Sequence, residues 1–117
     1  MAQENVFRVM LRMEIKPGLD KEFERVWCEV GDSVVTHPAN LGQWLSHSED
    51  EGVYYIVSDW VSEERFREFE TSDRHLRHRE KLHPYRSGGW MTTMNVVTFL
   101  PGVASVGTTH QDWESAR

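Results

Sequence analysis

His75, His78 and Arg79 stand close together in the segment DRHLRHREKL, and with Leu82 they fall at i, i+3, i+4 and i+7. That spacing is one stripe of a helix. A histidine, with a reference pKa of about 6.5, is suited to taking a proton near neutral pH. An arginine is a fixed cation that stabilises an anion and does not deprotonate. The pattern therefore points to removal of a proton from a weak acid, with the resulting anion held beside a guanidinium. His75 is the first candidate for the base, His78 the second, and Arg79 is the candidate anion stabiliser. Upstream, Tyr54, Ile56, Ser58 and Trp60 alternate along VYYIVSDW and so share one strand face. Tyr54, Ile56 and Trp60, with Phe66 and Trp90, supply a flat apolar slot for an aromatic ring. The expected site is a cavity where strand rings meet helix bases.

Other chemistries find less support. His75 and His78 at i, i+3 place two imidazoles on one helix face with His83 nearby, but no acidic or cysteine third ligand has suitable spacing, so no metal is expected. There is no Gly-rich phosphate loop and no Gly-x-Ser-x-Gly nucleophile. The net charge of −6 argues against nucleic acid as a partner, and the arginines between Arg65 and Arg86 are interleaved with acids, as on a solvated helix face. Cys28 is the single cysteine, which suits a reducing, cytoplasmic setting; its place in a helical pattern predicts a small buried or half-buried residue. The N-terminal MAQENVFRVM has no basic stretch followed by an apolar one, and no apolar run approaches the roughly 18 residues of a membrane span. No membrane partner is expected.

The elements that must position these residues can be read in order. Val6 to Ile15 alternates, with Phe7, Val9, Leu11, Met13 and Ile15 on one face, and Pro17-Gly18 ends it. From about Leu19 to Val35, Phe23, Val26, Trp27, Val30 and Val34 recur at helical spacing, which places Trp27 in the core, with the wall of a ligand cavity as the alternative. Leu41–Ser48 and Val53–Trp60 form a hairpin around the acidic turn that ends in Gly52. Ser62 is the N-cap of a helix running to about Glu70, anchored by Phe66 and Phe69, with Glu63 and Glu64 in its first turn. After a break at Thr71-Ser72, a second short helix runs from about Asp73 to Leu82. Arg86 to Gly89 reads as a loop, and Trp90 to Leu100, rich in Thr, Val and Met, as the last strand.

The order β-α-β-β-α-β, with the second helix broken, is the ferredoxin-like unit: an α+β fold with a four-stranded antiparallel sheet and helices on one face. At 117 residues the chain makes one domain, over 1–101, followed by a tail over 102–117 that wanders or lies on a partner. The free sheet face carries Met10, Trp44 or Gln43, and Tyr55, too apolar a patch for water, so two sheets are expected to pack as a homodimer.

The segments KPG, HPANLGQ and SDWVSEERFREFETSDRHLRHR resemble the antibiotic biosynthesis monooxygenase superfamily, over about Val6 to Leu100. The resemblance implies a dimeric α+β barrel with a ferredoxin-like subunit. It also implies a cofactor-independent monooxygenase acting with O2 on a polyketide-type phenol, anthrone or hydroquinone. A polyketide cyclase that uses His75 and Arg79 without O2, and a non-catalytic ligand-binding module, are the alternatives on the same barrel. Trp60 matches the pocket tryptophan of polyketide anthrone oxygenases, and Arg79 lies within one position of a helix arginine of that group. Ile56 and Phe66 stand where those enzymes have asparagine and tyrosine. The haem-degrading branch needs an asparagine, a tryptophan and a histidine whose nearest positions here are Leu11, Phe69 and Arg79, with His78 one off, so haem degradation is not implied.

Overall fold

The computed structural model describes residues 6–105. Its elements are β1 (Val6–Ile15), α1 (Asp20–Val35), β2 (Asn40–His47), β3 (Val53–Trp60), α2 (Glu63–Glu70), α3 (Asp73–Leu82) and β4 (Arg86–Val96), with single 3-10 turns at His83–Tyr85 and Val103–Ser105. The strands form one antiparallel sheet in the order β2-β3-β1-β4. This is the ferredoxin-like arrangement expected from the order of elements.

Alternation decides which side of the sheet is covered. Phe7, Val9, Leu11 and Met13 lie opposite Trp60, Ser58, Ile56 and Tyr54 on β3, and this inner face meets the helices. Two apolar clusters seal it at opposite ends. Phe7, Val9, Val34, Ala39, Trp60, Phe66 and Phe69 form one; Ile15, Phe23, Val30, Tyr54 and Leu82 form the other. The short helices are positioned by serine caps: the side chain of Ser62 accepts from Arg65 N–H, and that of Ser72 from His75 N–H. Each cap satisfies an N–H that the first helical turn leaves unpaired. The Ser72 cap fixes the direction in which α3 starts, and hence where the His75 stripe points. Arginines on α2 pair with Glu63, Glu68 and Glu70, as on a solvated helix face; such exposed pairs add little stability.

Two expectations are corrected. The last strand spans Arg86–Val96, not Trp90–Leu100, and the segment read as a loop is its first part. Gly88 and Gly89 pair with Glu14 and Met13 because the chain crosses β1 too closely for a side chain. A Cβ on Gly89 would stand 2.1 Å from the Arg12 carbonyl oxygen, and its φ is +149°. Gly89→Ala is therefore expected to cost roughly 3 kcal/mol, read as a lower urea midpoint; an unchanged midpoint would contradict the close approach. The second correction concerns Cys28, which is exposed on α1. Trp27 is half-buried against the cluster of Phe23, Tyr54 and Leu82, as its spacing implied, and it also borders a cavity. The tail expected over 102–117 lies outside the described residues from 106 onward.

The outer sheet face carries Met10, Val57, Tyr55, Trp44, Trp90 and Met94, by register with Arg8, Arg12 and their partners. Trp44, Trp90 and Met94 are 49%, 47% and 38% exposed in the single chain. Arg8 and Asp59 make a two-pronged ion pair on this face, at 2.8 and 2.9 Å.

Candidate active site

Between the sheet and the helices lies a cavity of about 610 Å³, a usual size for a small-molecule site. Its floor is the inner sheet face: Val9, Leu11 and Met13 of β1, Gln43 of β2, and Ile56, Ser58 and Trp60 of β3. Phe66, Phe69 and Glu70 of α2 close one side. The opposing wall is α3, with His75, Leu76, His78, Arg79, Glu80 and Leu82. The helical stripe His75, His78, Arg79, Leu82 thus faces this space, together with three of the five expected slot residues, Ile56, Trp60 and Phe66.

Trp60 is 1% exposed and forms the closed end. Its ring lies 4.9 Å from Phe69 and 5.4 Å from Phe66, and His37, from the turn after α1, packs edge-on behind it at 5.5 Å. His37 is itself fixed by the Ala39 N–H, which donates to its Nδ1 at 3.1 Å. This explains why the HPANLGQ segment accompanies the tryptophan. The rings then step outward from Trp60 to Phe69 and on to His75, 4.9 Å from Phe69, and to His78, stacked 6.0 Å beyond.

Tyr54 lies elsewhere. It shares the face of Ile56 but sits further along the strand, where Phe23 packs 5.0 Å from its ring and closes the sheet. Its hydroxyl donates to Glu24, and burial, reinforced by that carboxylate, raises its pKa. Trp90 borders the cavity from the edge strand, but its register opposite Arg12 puts its ring on the outer face, 6.5 Å from Tyr55. Trp27, Gln43, Ser58 and Arg86 also line the cavity and were not among the expected site residues. Alternation placed Gln43 and Ser58 on their strand faces, yet nothing in the spacing separates cavity floor from core.

The electrostatics of the α3 wall follow from partial burial. The Nδ1 atoms of His75 and His78 are both shielded from solvent and make no hydrogen bond. Burial, with help from His78 and Arg79, pushes the His75 imidazole down to about 4; Glu70 works the other way. Burial also lowers His78, opposed by the Val30 backbone. Both rings are neutral at pH 7, each with an unengaged ring nitrogen. Arg79 makes no ion pair or hydrogen bond among the described residues. Its charge is available to the cavity.

Between pH 6.5 and 4 the unfolded chain binds a proton at His75 that the folded chain does not. Stability from this residue is therefore full above pH 6.5 and lost as pH falls toward 4. Discounted for partial exposure, the effect is on the order of 1–2 kcal/mol. Wild type should lose that much more stability than His75→Gln between neutral and acid pH in urea titrations; parallel losses would contradict a buried neutral His75.

The sequence matches the family model for antibiotic biosynthesis monooxygenase over residues 6–81. The chain belongs to this family. The match runs from β1 through most of α3 and so includes His75, His78 and Arg79. The fold is similar to that of SnoaB, a cofactor-independent oxygenase from Streptomyces nogalater, at 19% identity over 86% of this chain and 100% of SnoaB, with TM-score 0.71. A protein of Caulobacter crescentus whose name places it in the same family aligns at 20% identity over 81% of this chain and 92% of its own, with TM-score 0.73. A conserved protein from Methanosarcina mazei aligns at 13% identity over 78% and 92%, with TM-score 0.70. No curated protein sequence matches this family member. Among its described residues, no three His, Cys, Asp or Glu side chains are grouped to hold a metal ion, and no helix is long and apolar enough to cross a membrane.

Proposed function

We propose that this protein is a cofactor-independent monooxygenase that oxidises a polyketide-type phenol, anthrone or hydroquinone with O2, as a cytoplasmic homodimer. The observation that carries the reading is the α3 wall: two neutral imidazoles and an unpaired guanidinium bordering a ring-lined cavity. The family supports monooxygenase chemistry, and SnoaB shares the fold. The exposed outer-face residues Trp44, Trp90 and Met94 support pairing of two sheets.

His75 takes the acidic proton of the substrate, and Arg79 holds the anion. A base lowered to about 4 is weak in the empty site, but the anion formed beside it favours the imidazolium and raises that pKa. The anion gives one electron to O2, and the radical pair recombines to a peroxide. For an anthrone, the CH2 and O2 become C=O and water. His78 stands behind His75 as a second acceptor.

The test is O2 uptake by purified protein given a reduced anthrone or hydroquinone, without flavin or metal. Uptake supports the monooxygenase; product without O2 indicates a cyclase; neither, with any reduced polyaromatic, leaves a binding module. Because the base works when neutral, the acid limb of kcat/KM should lie near pH 4 rather than 6.5. A limb at 6.5 would assign the proton to a histidine outside this wall.

A further inference from the structure

Ser58 sits on the cavity floor between Ile56 and Trp60, opposite Val9 on β1 and Gln43 on β2. It is 7% exposed. Its Oγ accepts the Trp60 Nε1–H at 2.8 Å and an Asn40 Nδ2–H at 3.3 Å. Neither donor can accept in return: an indole N–H and an amide NH2 are donor-only. The orientation of the Asn40 amide is fixed from its other end, where Oδ1 accepts the Gly42 N–H at 2.9 Å, and its NH2 also reaches the Asp59 carbonyl at 3.3 Å. Both lone pairs of the serine hydroxyl are thereby occupied. Its hydrogen has no acceptor among the described residues, and the open space it borders is the cavity. Gln43 does not take it: the Gln43 amide extends toward α1, with Nε2 3.1 Å from where a Cβ on Gly31 would stand.

We propose that Ser58 is an oriented hydrogen-bond donor to an oxygen of the bound ligand, so that the cavity selects flat aromatics carrying a carbonyl or phenolate oxygen on the edge that faces the sheet. The assignment rests on the reading of the cavity as an aromatic-substrate site and names a second polar anchor, away from the α3 wall. A hydroxyl that already accepts two hydrogen bonds is a stronger donor, and a hydrocarbon in the same place would leave it unpaired. Trp60 has a matching role. Its N–H is spent on Ser58, so the indole orients the donor and presents only its ring to a ligand.

The test is quenching of tryptophan fluorescence by 9,10-anthraquinone and by anthracene, which share a ring skeleton and differ in the carbonyl oxygens. Wild type should prefer the quinone by about tenfold. Ser58→Ala should bind both ligands about equally while holding anthracene as wild type does, and Ser58→Thr, which keeps the hydroxyl, should keep the preference. Should Ser58→Ala not fold, Ser58→Cys, with its weak donor, takes its place with the same expected loss. A preference that survives in Ser58→Ala, no preference in wild type, or loss of anthracene together with the quinone would each overturn the assignment. Neither ligand needs a base or O2, so the preference is read without turnover. Failure of the oxidation chemistry would thus overturn the oxygenase reading while leaving the Ser58 result standing.

Discussion

His75→Ala is expected to lower kcat/KM for O2 consumption by about 10²–10⁴-fold, the usual contribution of a positioned general base. The loss corresponds to roughly 3–5 kcal/mol of transition-state stabilisation. His75 lines the cavity with a shielded, unengaged Nδ1, as His78 does, and it alone of the two has its pKa lowered by Arg79. His37 is held by Ala39, and His47 lies on Tyr54 beyond the cavity. The melting temperature should change by only a few degrees, because α3 keeps its Ser72 cap and its Leu82 anchor. His78→Ala should lose less than His75→Ala. If the order were reversed, His78 would be the base and the stacked pair would exchange roles.

Trp60→Ala is the largest stability effect expected in the chain. The residue is almost fully buried against Phe66, Phe69 and His37, and removing such a ring costs about 3–5 kcal/mol. For a domain of this size that is a drop of roughly 15–30 °C in melting temperature, a large share of a typical total stability. Ligand affinity should fall with it, since the closed end of the cavity becomes a void. Trp60→Phe separates the two roles: the wall is mostly kept and the N–H to Ser58 is lost. A Trp60→Ala protein that melts like wild type and retains its activity would contradict both the core and the wall assignments.

Much of this site was legible in the sequence because helices and strands impose simple periods. The stripe His75, His78, Arg79, Leu82 needed only helical spacing, and the structure faces it into the cavity. Ile56 and Trp60 needed only alternation. Period gives a face but not a position along it, which is why Tyr54 shares a face with Ile56 and yet lies beneath α1, against Phe23. For the same reason Trp27, with core spacing, also borders the cavity. The start of β4 was hidden for a different reason. Gly88-Gly89 carries the composition of a loop, and only its pairing with β1, where a Cβ on Gly89 would stand 2.1 Å from the Arg12 oxygen, shows that it is strand. Ser58 was the least visible residue. Its role depends on Asn40 and Trp60, the first distant in sequence, both spending their donors on one hydroxyl.

Addition of one atom of O2 to an aromatic substrate in this cavity, without a cofactor, is tested most directly with isotopic oxygen. Protein freed of metal with a chelator and given no flavin would turn over a reduced anthrone under ¹⁸O2, and the product would be weighed by mass spectrometry. One ¹⁸O atom per quinone, with the rate reduced in His75→Ala, is the predicted result. Product without ¹⁸O, or labelled product formed equally fast by His75→Ala, would contradict it.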